Sequence, residues 1–224
     1  MKLIVGNKAY SSWSLRGWLA CQLSGLPFEE VVVPLYDADW ETRKAAPDLA
    51  PSNGQVPVLH DGDAAAWNSL GIVAHLDRLT GGTRFWPADP AAHAFAASIA
   101  AEMQSGFGAL RSACPMNVRR HYPNWRLPDA AAADVRRVDA LWCEGLERFG
   151  GSWLAGPDYG AADLMFAPVA SRFTTYAVAL SPAAEAYRSR AMAQRWMAEW
   201  VEAAHAEPWR LDRYEFPDGA AGPA

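Results

Sequence analysis

The chain has 224 residues, of which 51% are hydrophobic and 20% are charged, and its formal net charge is −5. This composition is typical of a folded globular protein, and the acidic balance argues against nucleic acid as a partner. The spacing of Cys21, Cys114 and Cys143 excludes a dithiol or zinc motif, and no secretory or membrane-spanning run is visible, so we expect a cytoplasmic protein without metal.

The first eighty residues alternate between β-prone and helical segments. Apolar residues recur at three- and four-residue steps over 14–24 and 69–79, and Gly25 and the Gly81-Gly82 pair end these predicted helices. The order β-α-β, a loop, then β-β-α predicts a parallel crossover followed by an antiparallel hairpin. The predicted strands span residues 2–6, 28–34, 56–60 and 64–67.

After residue 90 the sequence becomes rich in alanine and loses its β-branched runs. We therefore predict an α/β domain over residues 1–82, a linker over 83–90 and an all-helical domain over 91–224. The predicted helices of the second domain lie near residues 90–113, 129–150, 161–178 and 188–204.

Two serines stand between the first strand and the first helix, in the segment Tyr10–Ser14. A hydroxyl at a helix N-terminus lies where free N–H groups and the positive end of the dipole favour an anion. Ser11 or Ser12 could therefore donate a hydrogen bond to a thiolate and lower the pKa of the thiol. The alternative is a simple N-cap, which is the more common role of serine before a helix.

Two other segments could bind a small peptide. Gln55-Val56-Pro57 is compatible with a cis bond that exposes the backbone of Val56 at a sheet edge, where an extended peptide can pair, although a trans bond is the default. Asn68-Ser69 opens a predicted helix, whose N–H groups could bind a carboxylate. An N-cap is again the alternative.

Together, these three segments resemble the N-terminal domain of cytosolic glutathione transferases, and the helical second half is similar to theirs. Ser11-Ser12-Trp13-Ser14-Leu15-Arg16 resembles the Ser-Ser-Cys-x-x-Arg motif of the zeta class, and Gln55-Val56-Pro57-Val58-Leu59 is close to the family pattern. The strongest likeness is to bacterial members without an assigned class. The resemblance implies a thioredoxin-like first domain and glutathione as substrate.

The resemblance also implies roles for single residues. It places the glutathione sulfur at Ser11, with Ser12 as the second candidate, and a cis bond at Val56-Pro57 against the cysteinyl backbone. The γ-glutamyl end would lie at Asn68-Ser69. The residues predicted to bind glutathione are Trp13, Gln55, Val56, Pro57, Asn68 and Ser69.

The sequence departs from the family pattern in three places. Asn68 replaces the usual Glu or Gln, so an amide must hold the glutamyl group. Trp13 replaces the zeta cysteine, which puts chemistry like that of maleylacetoacetate isomerase in doubt. Gly160 replaces the Ser or Thr of a helix cap, and Asp163 is predicted to hold that helix start in the core. Arg16 could add positive field at the site, but we assign it to a surface ion pair, and we assign Cys21 to core packing.

The second substrate, a small electrophile, is expected between the domains, where pockets tend to form. The candidate wall residues recur at helical steps on the helix predicted near 90–113, and the following segment Cys114–Asn117 could fold over the site. These candidates are Met103, Gln104, Phe107 and Arg111; Met103 and Phe107 have core packing as the alternative.

The sequence therefore predicts a detoxifying glutathione transferase that adds glutathione thiolate to electrophiles. Two alternatives stay open: a non-catalytic glutathione-binding or protein-interaction module, and a glutathione-dependent isomerase or peroxidase. A homodimer is expected from the family resemblance.

Overall fold

The N-terminal half is built on a mixed four-stranded sheet in the order β2-β1-β3-β4. The structure, a computed structural model, describes residues 1–222. Strand β1 pairs in parallel with β2 and antiparallel with β3, and β3 pairs antiparallel with β4. The strands are β1 (Lys2–Gly6), β2 (Glu29–Val33), β3 (Val58–Asp61) and β4 (Ala64–Trp67).

Three helices accompany this sheet. Helix α1 (Ser12–Ser24) makes the crossover from β1 to β2, and α3 (Ser69–Leu79) follows the hairpin and packs beside α1. A short α2 (Trp40–Lys44) and a 3₁₀ turn at Ala50–Ser52 occupy the predicted loop and were not expected. The predicted α/β arrangement of a thioredoxin-like domain is thus confirmed.

Local capping explains where the observed elements differ from the predicted ones. Helix α1 begins at Ser12, two residues earlier than predicted, because Ser11 serves as its N-cap with an extended backbone. Strand β3 begins at Val58, because Pro57 has no N–H to give to a sheet ladder.

The rest of the described chain is helical, as predicted. Its helices are α4 (Pro90–Ser105), α5 (Gly108–Ala113), α6 (Asp129–Phe149), α7 (Ala161–Thr175), α8 (Pro182–Ala193) and α9 (Arg195–Ala206). The domain bounds 1–82, 83–90 and 91–224 stay predictions, and residues 223–224 of the last one lie outside the described residues. Among residues 1–222, no helix has both the length and the apolar character that crossing a membrane requires.

Two helices predicted as continuous are each divided. The helix predicted over 90–113 breaks at Gly106 and Phe107, where Phe107 adopts a left-handed backbone with φ 57°. The helix predicted over 188–204 spans the end of α8 and most of α9, which are separated at Gln194. The Gln194 side chain accepts hydrogen bonds from Trp196 N and Met197 N and so starts a new helix.

Helix α7 lies at the centre of the helical part, and all its residues except Thr174 are buried. The Asp163 carboxylate accepts hydrogen bonds from Gly160 N, Leu154 N and the Tyr187 hydroxyl, which fixes the start of α7. Burial raises the pKa of Asp163 to about 6, despite these three donors. The predicted structural role of Asp163 agrees with these contacts.

Helix α1 packs against both α3 and α7, so its N-terminus lies at the junction of the two halves. The loop before it is held by the C-terminal segment, because the Glu207 carboxylate accepts hydrogen bonds from Lys8 N (2.7 Å) and Ala9 N (3.2 Å). The junction therefore places the Tyr10–Ser14 segment beside side chains from α5 and α7.

Candidate active site

Two neighbouring cavities meet at the N-terminus of α1, and the Trp13 side chain lines both of them. The first, which we call the Val56 cavity, has a volume of about 330 Å³. It is lined by Trp13, Ser52, Gln55, Val56, Pro57, Trp67 and Asn68. Its lining, within the described part of the chain, contains no charged side chain.

One wall of the Val56 cavity is an unpaired stretch of backbone. The Val56-Pro57 peptide bond is cis. Within residues 1–222, neither the N–H nor the C=O of Val56 forms a hydrogen bond. The site thus offers one donor and one acceptor to an extended peptide laid along the sheet edge.

The far end of the Val56 cavity is the N-terminus of α3. Asn68 is its N-cap, and its side chain accepts a hydrogen bond from Leu70 N at 3.4 Å. Asn68 has a φ of 67°, a left-handed backbone that asparagine tolerates better than most residues. Ser69 lies one residue further on, but its buried hydroxyl has no hydrogen-bond partner among residues 1–222, and Ser69 does not line the cavity.

Gln104 was predicted to line the electrophile pocket, but its side chain lies at the N-terminus of α3. Its Oε1 accepts a hydrogen bond from Leu70 N at 3.2 Å, so α4 reaches across to the start of α3. This contact arises because α3 and α4 pack together, which a single sequence does not reveal.

The second cavity, which we call the Arg172 cavity, has a volume of about 300 Å³. Five segments that are distant in sequence contribute its walls. They supply Tyr10, Ser11, Ser12 and Trp13; Leu35 and Tyr36; Arg111, Pro115 and Met116; Arg172; and Leu211 and Tyr214. In the described residues, no acidic side chain belongs to this lining.

Both predicted catalytic serines line the Arg172 cavity, but their hydrogen bonds differ. The Ser11 hydroxyl accepts from Ser14 N (3.3 Å) and donates to Ser14 Oγ (2.8 Å). Ser12 Oγ instead accepts a hydrogen bond from Arg172 Nη2 at 3.4 Å. The two serines are therefore brought together at one site with different hydrogen-bonding environments.

Three guanidinium groups surround this end of α1. Arg16 is only 1% exposed and donates from Nε to Met165 O, while Arg172 donates to Cys114 O and Pro168 O. The Arg16 and Arg111 guanidinium carbons lie 4.9 and 5.2 Å from the Trp13 ring centroid. Among residues 1–222, none of the three arginines forms a salt bridge with a carboxylate.

The surface ion pair predicted for Arg16 is therefore wrong. Position 16 faces inward, because α1 packs on α7 and carries Arg16 into the interface. Burial, followed by the charges of Arg172 and Arg111, lowers the pKa of Arg16, and burial also lowers the pKa of Arg172 to about 10. Within the described part of the chain, this cluster of arginines beside the serines has no carboxylate partner.

The C-terminal segment closes one side of the Arg172 cavity. The Tyr10 hydroxyl donates to Glu215 Oε1 at 2.7 Å, and the Tyr214 ring stacks on Tyr10 with centroids 5.7 Å apart. Burial and the Glu215 carboxylate raise the pKa of Tyr10 to about 12, so this hydroxyl keeps its proton at neutral pH.

Two of the four predicted electrophile-pocket residues are buried in the core. Met103 is fully buried, and Phe107 packs edge-on against Phe166 of α7 with ring centroids 6.4 Å apart. Neither residue lines a cavity described above. Arg111 does line the Arg172 cavity, and so do Pro115 and Met116 of the segment expected to fold over the site.

Sequence reasoning missed Arg172, Tyr214 and Trp67. Arg172 had a usable signal, because a charged residue inside the apolar stretch 161–175 must be buried with partners. Tyr214 had no such signal, since its position depends on the path of the C-terminal segment.

Comparison with known families gives a match in the N-terminal part of the chain. Residues 10–79 match the family model described as glutathione S-transferase, N-terminal domain. This part of the chain is therefore similar to the N-terminal domain of that family. The segment covers α1, the Val56-Pro57 bond and the start of α3, so the predicted resemblance to glutathione transferases is confirmed. A comparison with curated protein sequences found no significant match.

Solved structures of glutathione transferases share the fold of nearly the whole chain. A glutathione transferase homologue from Burkholderia with bound glutathione is 20% identical, with 92% of this chain and 98% of that chain covered and a TM-score of 0.69. A bacterial zeta-class maleylpyruvate isomerase is 20% identical, with 93% and 99% covered and a TM-score of 0.69. Maleylacetoacetate isomerase from Methylobacterium extorquens AM1, with bound malonate and glutathione, is 23% identical, with 92% and 96% covered and a TM-score of 0.61.

No metal centre is found in the described part of the glutathione transferase fold. Among residues 1–222, no group of three or more His, Cys, Asp and Glu side chains is close enough to hold a metal ion. The groups that line the two cavities include hydroxyls, guanidinium groups, backbone N–H groups and helix termini.

Proposed function

We propose that the protein is a glutathione transferase that adds glutathione thiolate to a small, carboxylate-bearing electrophile. The observation that carries this proposal is the meeting of two cavities at the N-terminus of α1, one uncharged and edged by free backbone, the other lined by Arg111 and Arg172. The family assignment of residues 10–79 supports glutathione as the first substrate.

Glutathione fits the Val56 cavity by shape and hydrogen-bonding capacity. Its cysteinyl backbone pairs with the free N–H and C=O of Val56, as an added strand pairs with a sheet edge. Its γ-glutamyl carboxylate lies at the N-terminus of α3, beside Asn68, where the helix dipole favours an anion. Trp67, which is 49% exposed, covers the tripeptide with its apolar face, and Trp13, Gln55 and Pro57 form the remaining wall.

The glutathione sulfur then points past Trp13 toward the N-terminus of α1. A free thiol has a pKa of about 8.5, so it is mostly protonated at neutral pH. A serine hydroxyl, the unpaired first N–H groups of α1 and the arginine cluster all favour the thiolate over the thiol. The thiol proton leaves to solvent, and the thiolate becomes the nucleophile.

The electrophile occupies the Arg172 cavity. Two arginines without acidic neighbours in the described residues favour a carboxylate there, because guanidinium groups bind carboxylates through charge-assisted hydrogen bonds. Malonate, a dicarboxylate, is bound with glutathione in the Methylobacterium maleylacetoacetate isomerase. Addition of the thiolate to an activated double bond, followed by its departure, would isomerise such a substrate, so isomerase activity is the second candidate.

The test compares maleate with its dimethyl ester, each assayed with reduced glutathione and divided by its uncatalysed rate. We expect a rate enhancement for maleate that exceeds the ester's by about tenfold or more, as one charge-assisted hydrogen bond allows. A larger enhancement for the ester would contradict the anionic electrophile. If neither compound reacts although glutathione binds, the non-catalytic module replaces the transferase.

The family resemblance also suggests a cytoplasmic homodimer with a role in detoxification. A closed twofold interface is the common form for such assemblies. Light scattering at several protein concentrations tests the dimer, and a monomeric mass throughout would reject it.

A further inference from the structure

We propose that Ser12, and not Ser11, is the hydroxyl that donates to the glutathione sulfur, and that Arg172 positions Ser12 for this role. The inference rests on the proposed function, since it concerns the same sulfur position. It differs from the expectation drawn from the zeta-like motif, which assigns that position to Ser11.

The Ser11 hydroxyl is already engaged within its own helix turn. It is the N-cap of α1, it accepts from Ser14 N, and its proton is donated to Ser14 Oγ. Ser14 is fully buried, and its Oγ also accepts from Gly6 N at 2.9 Å. Turning the Ser11 proton toward a sulfur would therefore break a short hydrogen bond within a buried network.

The Ser12 hydroxyl has the opposite arrangement. Its oxygen accepts from Arg172 Nη2, and the Ser12 proton has no acceptor within residues 1–222. A guanidinium hydrogen bond to the oxygen withdraws charge from it and makes the free O–H a better donor. Ser12 also lines the Arg172 cavity, so its hydroxyl can point at a ligand there.

Backbone donors lie beside the same hydroxyl. The N–H groups of Ser12 and Trp13 open α1, a helix of 13 residues, and neither has a partner in the described chain. Arg172 is itself fixed by hydrogen bonds to Cys114 O and Pro168 O, so the atom next to Ser12 is held by α7 and does not depend on a flexible side chain. Ser12, these N–H groups and Arg172 together form one donor set for sulfur.

The test measures the pKa of the bound thiol in the parent protein and in two matched variants, Ser11→Ala and Ser12→Ala. Ultraviolet absorbance of the thiolate is followed against pH with saturating glutathione, and the complex with S-methylglutathione serves as the blank. We expect Ser12→Ala to raise the bound thiol pKa by about 1 to 2 units, since it removes a hydrogen bond to the charged form. Ser12→Thr, which keeps a hydroxyl, should restore the parent value.

Ser11→Ala should leave the thiol pKa within about 0.3 units of the parent but lower Tm by about 2–4 °C, as the loss of an N-cap does in a chain of this size. Arg172→Lys should raise the thiol pKa less than Ser12→Ala, because it keeps the charge but not the fixed geometry. Affinity for S-methylglutathione should stay unchanged in Ser12→Ala.

The inference is overturned if Ser11→Ala raises the thiol pKa as much as Ser12→Ala does, or if Ser12→Ala leaves it unchanged. In both cases the parent still lowers the thiol pKa, and the proposed function stands. Failure of the parent protein to bind glutathione or S-methylglutathione would instead reject the proposed function together with this inference.

Discussion

The two cavities that meet at Trp13 select their ligands by different means. The Val56 cavity presents free backbone, a helix terminus and uncharged side chains, whereas the Arg172 cavity presents two guanidinium groups without a carboxylate among its described lining residues. The first recognises the path of a peptide backbone, and the second recognises charge. Substitutions in the two cavities should therefore change different kinetic constants.

The largest effect is expected from Arg111→Ala. Loss of a charge-assisted hydrogen bond to the substrate carboxylate should lower kcat/KM for an anionic electrophile about 10- to 100-fold, which corresponds to roughly 1.5–3 kcal/mol. The dissociation constant of glutathione should change less than about threefold. Steady-state kinetics with maleate and calorimetry with glutathione make the two measurements.

Arg111→Lys is the matched variant, because it retains the charge and loses the planar donor geometry. We expect its kcat/KM to lie between those of the parent and Arg111→Ala. An equal loss for maleate and its dimethyl ester in Arg111→Ala would show that Arg111 acts only through packing on Trp13, and the contrast between the cavities would fail.

A smaller but broader effect is expected from Trp13→Ala, since Trp13 is the wall shared by both cavities. Loss of the indole removes apolar contact with glutathione and two cation–π contacts worth about 0.5–1 kcal/mol each. Glutathione affinity and KM for the electrophile should both worsen, by about three- to tenfold. Trp13→Phe, which keeps an aromatic face, should recover most of the glutathione affinity and most of the KM for the electrophile. If Trp13→Ala changed only one of these two quantities, Trp13 would not be a wall shared by both cavities.

Substitutions of Asn68 test the end of the Val56 cavity, and we expect them to change glutathione affinity only moderately. Asn68→Ala places alanine at a φ of 67° and removes the cap, each at a cost of about 1 kcal/mol, so glutathione affinity should fall about threefold to tenfold. Asn68→Gly tolerates this backbone and should lose less. At saturating glutathione, KM for the electrophile should be unchanged in both variants. A raised KM would contradict separate roles for the Val56 cavity and the Arg172 cavity.

The smallest expected effect is that salt weakens binding of the electrophile more than binding of glutathione. Guanidinium–carboxylate attraction is screened by salt, whereas backbone pairing is screened much less. Between about 0.05 and 0.5 M salt, KM for maleate should rise about two- to fivefold, and the dissociation constant of glutathione should change less. Equal salt dependence would show that charge dominates both cavities.

The sequence predicted the Val56 cavity better than the Arg172 cavity. Gln55-Val56-Pro57 and Asn68 lie within one local unit, where turn chemistry and helix capping act over a few residues. The Arg172 cavity is assembled from the β1–α1 loop, α5, α7 and the C-terminal segment, and such contacts follow from helix packing, which periodicity does not specify.

In the helical half, too, sequence periodicity did not specify the positions of single residues. Met103 and Phe107 were placed at helical steps with Arg111, but Phe107 ends the straight helix with a left-handed backbone, and the register beyond it changes. For Arg16, a surface ion pair was predicted and a contribution to the positive field was the alternative; its burial follows from the packing of α1 on α7. In contrast, Asp163 was predicted to hold the start of its helix, and its three hydrogen bonds agree with that role.

Calorimetric titration with reduced glutathione, compared with S-methylglutathione, tests whether the protein binds glutathione and ionises its thiol. We predict one binding site per chain for each ligand. A proton should be released only with reduced glutathione and only between about pH 7 and 8.5, where the free thiol is still protonated and the bound thiol ionises at the N-terminus of α1. Proton release is read from the dependence of the binding heat on the ionisation enthalpy of the buffer. Absence of binding heat at millimolar glutathione, or binding with no proton released, would contradict this prediction.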